Sequence, residues 1–332
     1  MEPIILMNSK WGNDIFTPMY LFFGGLTGGL FIVAVVADLV GIKHKSFEKL
    51  SKLVAFIVPL ALVLAGLFIT FHLGKPERGM FFPLYFSNFN SWMVIGGYSV
   101  GLAFPMIIAY ALLWYYKVNQ TIRRLLGVVG IPLLGFVSLY TGLLLSGAKF
   151  VPLWSQQYLP YLFLNSGLLT GLAAAGLAFL LFHTFVKTEL DDMSRILQIV
   201  GYAILALIVV EGLELYLFMN HLALNPEKLD ETGKFINPNG GALAYEYVTQ
   251  GVLAPWFWWG IVGLGLTFPL ILTFIEMIFD KIIRPYVNWV AGVKFASILA
   301  GGIILRFVIV WGGDLKAPLV FPPALFQLPL SG

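Results

Sequence analysis

Apolar residues along this chain gather into runs free of Asp, Glu, Lys and Arg. These runs are long enough to cross a bilayer, which takes about 20 residues in helical form. They are Ile15–Ala37, Leu53–Gly74, Gly79–Tyr116, Leu125–Ala148, Phe150–Val186 and Tyr247–Ile275. Two further apolar segments are interrupted, Ile196–Met219 by Glu211 and Glu214 and Trp289–Trp311 by Lys294 and Arg306. Pro, Asn, Ser and aromatic clusters mark interfaces, and trimming the runs there predicts eight helices. They cover 16–40, 53–72, 92–116, 126–146, 162–186, 196–219, 252–279 and 289–311, numbered below as spans 1 to 8.

Composition agrees with the pattern. The 332 residues are 59% hydrophobic and 11% charged, whereas a soluble domain carries about 45–50% apolar and about 25% charged residues. So few charges cannot coat a soluble surface, which excludes a soluble enzyme, a nucleic-acid binder and a disordered chain. The lipid bilayer is the expected surroundings. Cysteine is absent, so disulfides, thiolate zinc sites, iron–sulfur clusters and cysteine nucleophiles are excluded in this chain. The opening MEPIILMNSKWGND has no basic stretch ahead of a cleavable apolar core, and no signal peptide is expected.

Lys and Arg in short loops set orientation. Eleven of them fall in the four connections after spans 1, 3, 5 and 7: Lys43, Lys45, Lys49, Lys52, Lys117, Arg123, Arg124, Lys187, Arg195, Lys281 and Arg284. Seven lie on the opposite side, spread over longer segments. Both termini are therefore expected on the outer side, with the bulky loops 73–91, 147–161 and 220–251.

The two halves echo one another. Spans 1 and 5 open with GGLTGGL (24–30) and SGLLTGL (166–172). Spans 2 and 6 end in HLGKPE and HLALNPE, and spans 3 and 7 open on Trp92 and Trp256. A four-helix unit duplicated in parallel accounts for this order, with the halves at 1–150 and 151–332. Small residues that let helices approach closely are the plainer alternative.

Placing a charge at mid-bilayer costs roughly 2.5–3.5 kcal/mol on insertion scales, so each buried ionisable group is a functional candidate. The outer half holds Glu211, Glu214, Arg306, His72 and His221; the inner half holds Asp38, His183, Glu276 and Lys294. Arg306 lies five residues before Trp311, roughly 8 Å below the helix end. It can hold a carboxylate, polarise a carbonyl, or form a structural pair. Glu211 and Glu214 share a helix face, and without a cation they cannot both ionise. One is expected to pair with Arg306 or keep its proton. Tyr140 lies at nearly the depth of Arg306; it, Tyr20 and His72 read either as interfacial belt or as ligand donors. The inner four read as a proton route or as ordinary interfacial charge.

The sequence resembles the NrfD/PsrC family, the polysulfide reductase-like quinone-reactive membrane subunits of respiratory oxidoreductases. The resemblance rests on PMYLFFGGLTGGLF (18–31), HLGKPERG (72–79), SNFNSW (87–92), YTGLLLSG (140–147), VPLW (151–154), LPYLFLNSGLLTGLA (159–173) and GGIILRFVIVWGG (301–313). It implies an all-α integral membrane fold of eight helices in two four-helix bundles. It further implies a menaquinone or ubiquinone site near the outer (periplasmic) face of the cytoplasmic membrane, and no haem in this subunit. The implied partners are an iron–sulfur subunit and a molybdopterin or multihaem catalytic subunit. Carried over by motif, Tyr140 and Arg306 would contact the quinone and His72 belongs to the histidine motif. Where one polysulfide reductase subunit has an Asn and a His in its first helix, this chain has Thr17 and Tyr20.

On that reading Thr17, Tyr20, His72, Tyr140 and Arg306 bind the quinone, and protons move through His72, Glu211 and Glu214. Donors of this kind stabilise carbonyl oxygens that gain charge on reduction. Two other classes remain open: a b-type cytochrome ligated by His72 and His221, and a secondary transporter.

Overall fold

The computed structural model describes residues 14–73, 88–148, 151–186, 190–224, 240–278 and 286–314. Among these the regular elements are all helical. They are α1 (Phe16–Val40), α2 (Ser46–Leu73), α3 (Trp92–Tyr115), α4 (Gln120–Ser146), α5 (Leu159–Val186), α6 (Leu190–Leu224), the short α7 (Gly240–Thr249), α8 (Trp256–Ile278) and α9 (Val287–Trp311). All but α7 are long and apolar enough to cross a membrane. In lipid every backbone N–H and C=O needs an internal partner, and a helix supplies them all. Below, the upper end of the molecule is the one at which α1 begins.

The eight long helices match the eight predicted spans, with differences at their ends. Helix α2 begins at Ser46 and α4 at Gln120, where 53 and 126 were expected. The hydrocarbon run ends where charges begin, but the helix continues into the interface because those charges find partners. Arg123 and Arg124, in the first turn of α4, both reach Asp38 near the end of α1. Span 7 starts later than expected, after Pro255, and its first half, Trp256–Thr267, is wound as a π-helix. Gly265 of that segment meets Gly301 of α9 almost backbone to backbone.

Glycine decides the centre of the molecule. A Cβ on Gly29 would overlap the carbonyl of Gly167, and one on Gly171 would overlap the backbone at Gly29. The two small-residue stretches found in the sequence thus face each other, and α1 and α5 cross in close backbone contact. Helix α1 also packs on α2 and α4, while α5 packs on α6 and α9.

At the lower end Asp38 is fully buried and accepts from Arg123 Nε at 2.7 Å and Nη2 at 2.6 Å. Arg124 Nε adds a bond at 3.1 Å, and its Nη2 reaches Glu48 at 2.8 Å. The Tyr110 hydroxyl donates to the same carboxylate, and the Arg123 guanidinium lies 3.4 Å above the Trp114 ring. Lys294, also buried, pairs with Glu276. Three of the four inner candidates therefore sit in ion pairs that join helix ends. The His183 side chain lies outside the described residues, as do Lys187, 74–87 (with most of HLGKPERG), 149–150, 225–239, 279–285 and 315–332.

Candidate functional site

The upper end of α1 is built around Asp14. Its Oδ1 accepts from the backbone amides of Phe16 at 2.9 Å and Thr17 at 3.2 Å, so the carboxylate caps a helix that would otherwise begin with open donors. Its other oxygen stands 3.2 Å from Nδ1 of His72, at ion-pair distance. The Thr17 hydroxyl meets the same nitrogen at 3.2 Å. The last turn of α2 is thereby fastened to the first turn of α1. Trp311, closing α9, donates from Nε1 to the Asp14 carbonyl at 3.3 Å. Trp154 of the VPLW stretch, in turn, donates to the carbonyl of Ile309 at 2.8 Å.

One turn further in, Tyr20 and Tyr140 are both buried and lie against one another. The Tyr140 ring rests on Gly96 of α3, where any Cβ would overlap it. Thr17 and Tyr20 are spaced i, i+3 on one face of α1. Thr17 with His72, and Tyr20 with Tyr140, thus form one cluster among α1, α2 and α4. Asp14 completes it and was not singled out. An Asp directly ahead of an apolar run is an N-cap signal, and that signal was available.

Arg306 goes elsewhere. It is 1% exposed, donates from Nη2 to the Phe163 carbonyl at 3.2 Å and stacks 3.8 Å from the Phe163 ring. Its Nη2 also lies against Gly25. Position 25 is five residues beyond Tyr20, roughly 140° around the helix, so Arg306 and Tyr140 are served by different faces of α1. The charge facing Arg306 is Glu211 of α6, which is buried beside Ser166 of α5. Arg306 Nε and Nη1, Glu211 Oε2 and Ser166 Oγ have no hydrogen-bond partner among the described residues. Ser166 and Glu211, with Thr170 and Gly302, line a cavity of about 10 Å³ at water centres. That is roughly room for one water. Glu211 also feels the charge of Glu214, whose buried Oε2 likewise lacks a hydrogen-bond partner among the described residues.

The remaining candidate, His221, packs on the Tyr158 ring at 4.9 Å between centroids. His72 stands on Asp14 and Thr17 instead. No group of three or more metal-ligating side chains occurs among the described residues.

Eight apolar membrane-length helices with a polar cluster held at one end define a multi-pass integral membrane protein. The sequence matches the family described as Polysulphide reductase, NrfD, over residues 6–317. The chain belongs to that family. It is 27% identical to the C subunit of polysulfide reductase from Wolinella succinogenes, over 93% of this protein and 99% of that one. It is 26% identical to protein NrfD of Escherichia coli K12, over 90% of this protein and 93% of that one.

Proposed function

We propose that this protein is the quinone- or quinol-reactive membrane subunit of a respiratory oxidoreductase, working at the upper ends of α1, α2 and α4. The observation that carries the reading is the meeting of His72 with Thr17 and Asp14 one turn above the buried Tyr20 and Tyr140. A bound menaquinone or ubiquinone supplies two-electron, two-proton redox chemistry. The residues fit it: two phenols and a hydroxyl donate to carbonyl oxygens, and an imidazole handles protons. Tyr140, braced on Gly96, and Tyr20 orient the headgroup. His72 exchanges the proton, and the Asp14 carboxylate compensates the charge the imidazole then carries. Arg306, Glu211 and Ser166 form a second polar site behind α1, where Glu211 stores a proton and Glu214 leads from it towards the surface.

The wider assignment follows. Residues 1–150 and 151–332 form two four-helix units, supported by the matching sets of helix contacts made by α1 and α5. The concentration of Lys and Arg in the connections at the other end supports a periplasmic position for the upper end and both termini, in the cytoplasmic membrane. A chain without cysteine must pass its electrons to a partner. An iron–sulfur subunit docked on the upper loops, and a molybdopterin or multihaem catalytic subunit beyond it, complete the path.

The test uses the assembled complex in membranes. Tyr140→Phe and His72→Ala should each abolish quinol-coupled turnover. Activity with an artificial electron carrier fed to the partner subunits should persist. Quinol-coupled turnover at the wild-type rate in both variants would remove the site from this end of the molecule.

A further inference from the structure

A second cavity lies near the lower end, where the proposed chemistry has no use for it. It opens between α1, α2, α5 and α6 and holds about 230 Å³, a little under the roughly 300–1,000 Å³ of sites that enclose a whole small molecule. Val36, Phe47, Leu172, Ile199, Ala203 and Leu207 are among its walls, and every wall residue is apolar. Val36 and Ile199 are part-exposed, at 47% and 38%, so the groove is open on the side that faces lipid.

Its lower lip is basic. His44 lies in the turn between Val40 and Phe47, both of which line the groove. Arg195 lies one turn of α6 before Ile199, another wall residue. The Arg195 Nη2 stands 3.3 Å from His44 Nε2 across the two elements. Lys43 and Lys45 flank His44 and are exposed. An apolar groove open to lipid therefore ends at a cationic rim at the depth where headgroups begin.

We infer that this groove binds an anionic phospholipid, one acyl tail lying between α2 and α6 and the phosphate resting on Arg195 and His44. Basic pockets between membrane helices recognise anionic headgroups in this way. A zwitterionic lipid offers the same tail, but its own cation opposes Arg195. Because α1 and α2 form one wall and α5 and α6 the other, the lipid ties the first four helices to the last four.

The experiment uses the full-length protein, purified in detergent and stripped of lipid. Its thermal unfolding is followed on adding phosphatidylglycerol, phosphatidylcholine with the same acyl tails, or inorganic phosphate. Phosphatidylglycerol should raise the midpoint, since a ligand that binds the folded state stabilises it by mass action; phosphatidylcholine should act more weakly and phosphate not at all. Arg195→Gln should weaken the phosphatidylglycerol response about tenfold, to the phosphatidylcholine level. Ala203→Phe, which fills the groove, should abolish both responses while quinol-coupled turnover of the complex stays intact. Equal responses to the two lipids in the unaltered protein, or a response to phosphate alone, overturn the headgroup contact. An undiminished response in Ala203→Phe overturns the groove. If that variant does not melt cooperatively, Ile199→Phe at the part-exposed mouth makes the same measurement.

Discussion

Gly96 is the most exacting test of how the upper site is built. A Cβ at this position would fall within the Tyr140 ring, while carbon atoms pack at about 3.5–4.0 Å. In Gly96→Ala the ring must therefore retreat by an ångström or two, and it carries its hydroxyl away from Tyr20. The stability cost is that of an overpacked core, about 1–3 kcal/mol. If Tyr140 orients the quinone, a misplacement of this size costs about 10²-fold in rate. The control is on the same helix: Gly101 has open space where its Cβ would stand. Gly101→Ala should leave turnover unchanged and, by helix propensity, stabilise by up to about 1 kcal/mol. Quinol-coupled turnover of the complex in proteoliposomes and the unfolding midpoint of the purified subunit are the two readouts. A wild-type midpoint in Gly96→Ala refutes the packing. A lowered midpoint with full turnover keeps the packing and refutes the role of Tyr140.

Asp14→Asn keeps a capping side chain, so the midpoint should move by a few tenths of a kcal/mol equivalent, while turnover falls because His72 loses its counter-charge. Equal turnover in Asp14→Asn and wild type would reduce Asp14 to a cap. Arg306→Met should lower the unfolding midpoint, since it removes the positive charge that faces buried Glu211, and adding Glu211→Gln should recover part of that. Additive losses in the double variant, read by denaturant unfolding, would show that the two groups do not interact. Asp38→Asn should lower the midpoint by leaving Arg123 and Arg124 without their shared carboxylate, at a cost of about 3–5 kcal/mol. Proton uptake per turnover in liposomes should not change, and a changed ratio would return Asp38 to a proton route.

The bilayer makes a sequence unusually readable in one respect. Lipid admits no unpaired backbone, so a long apolar run can be little else than a helix, and the six uncharged runs and two interrupted ones became eight helices. The paired glycine stretches were equally legible, because only small residues permit the backbone contact that α1 and α5 make. Helix ends were harder to read. Charge marks where hydrocarbon stops, yet a helix goes on wherever its charged side chains find one another, as Arg123 and Asp38 do.

The candidate residues themselves were visible as rare polar groups in apolar runs; their grouping was not. Arg306 and Tyr140 share a depth, which sequence position reports, but depth says nothing about which side of α1 a side chain approaches from. Asp14 was overlooked because its value comes from a single oxygen reaching the end of α2, at residue 72. The π-helical winding of Trp256–Thr267 left no mark in the sequence pattern either. Sequence alone determined that the chain spans a membrane, how many times, and which side chains are costly enough there to need a reason. Tertiary structure decided which of them meet. Burial from water is a property of one helix in lipid, whereas a hydrogen bond or ion pair depends on the rotation of two helices about their axes, and packing sets that angle.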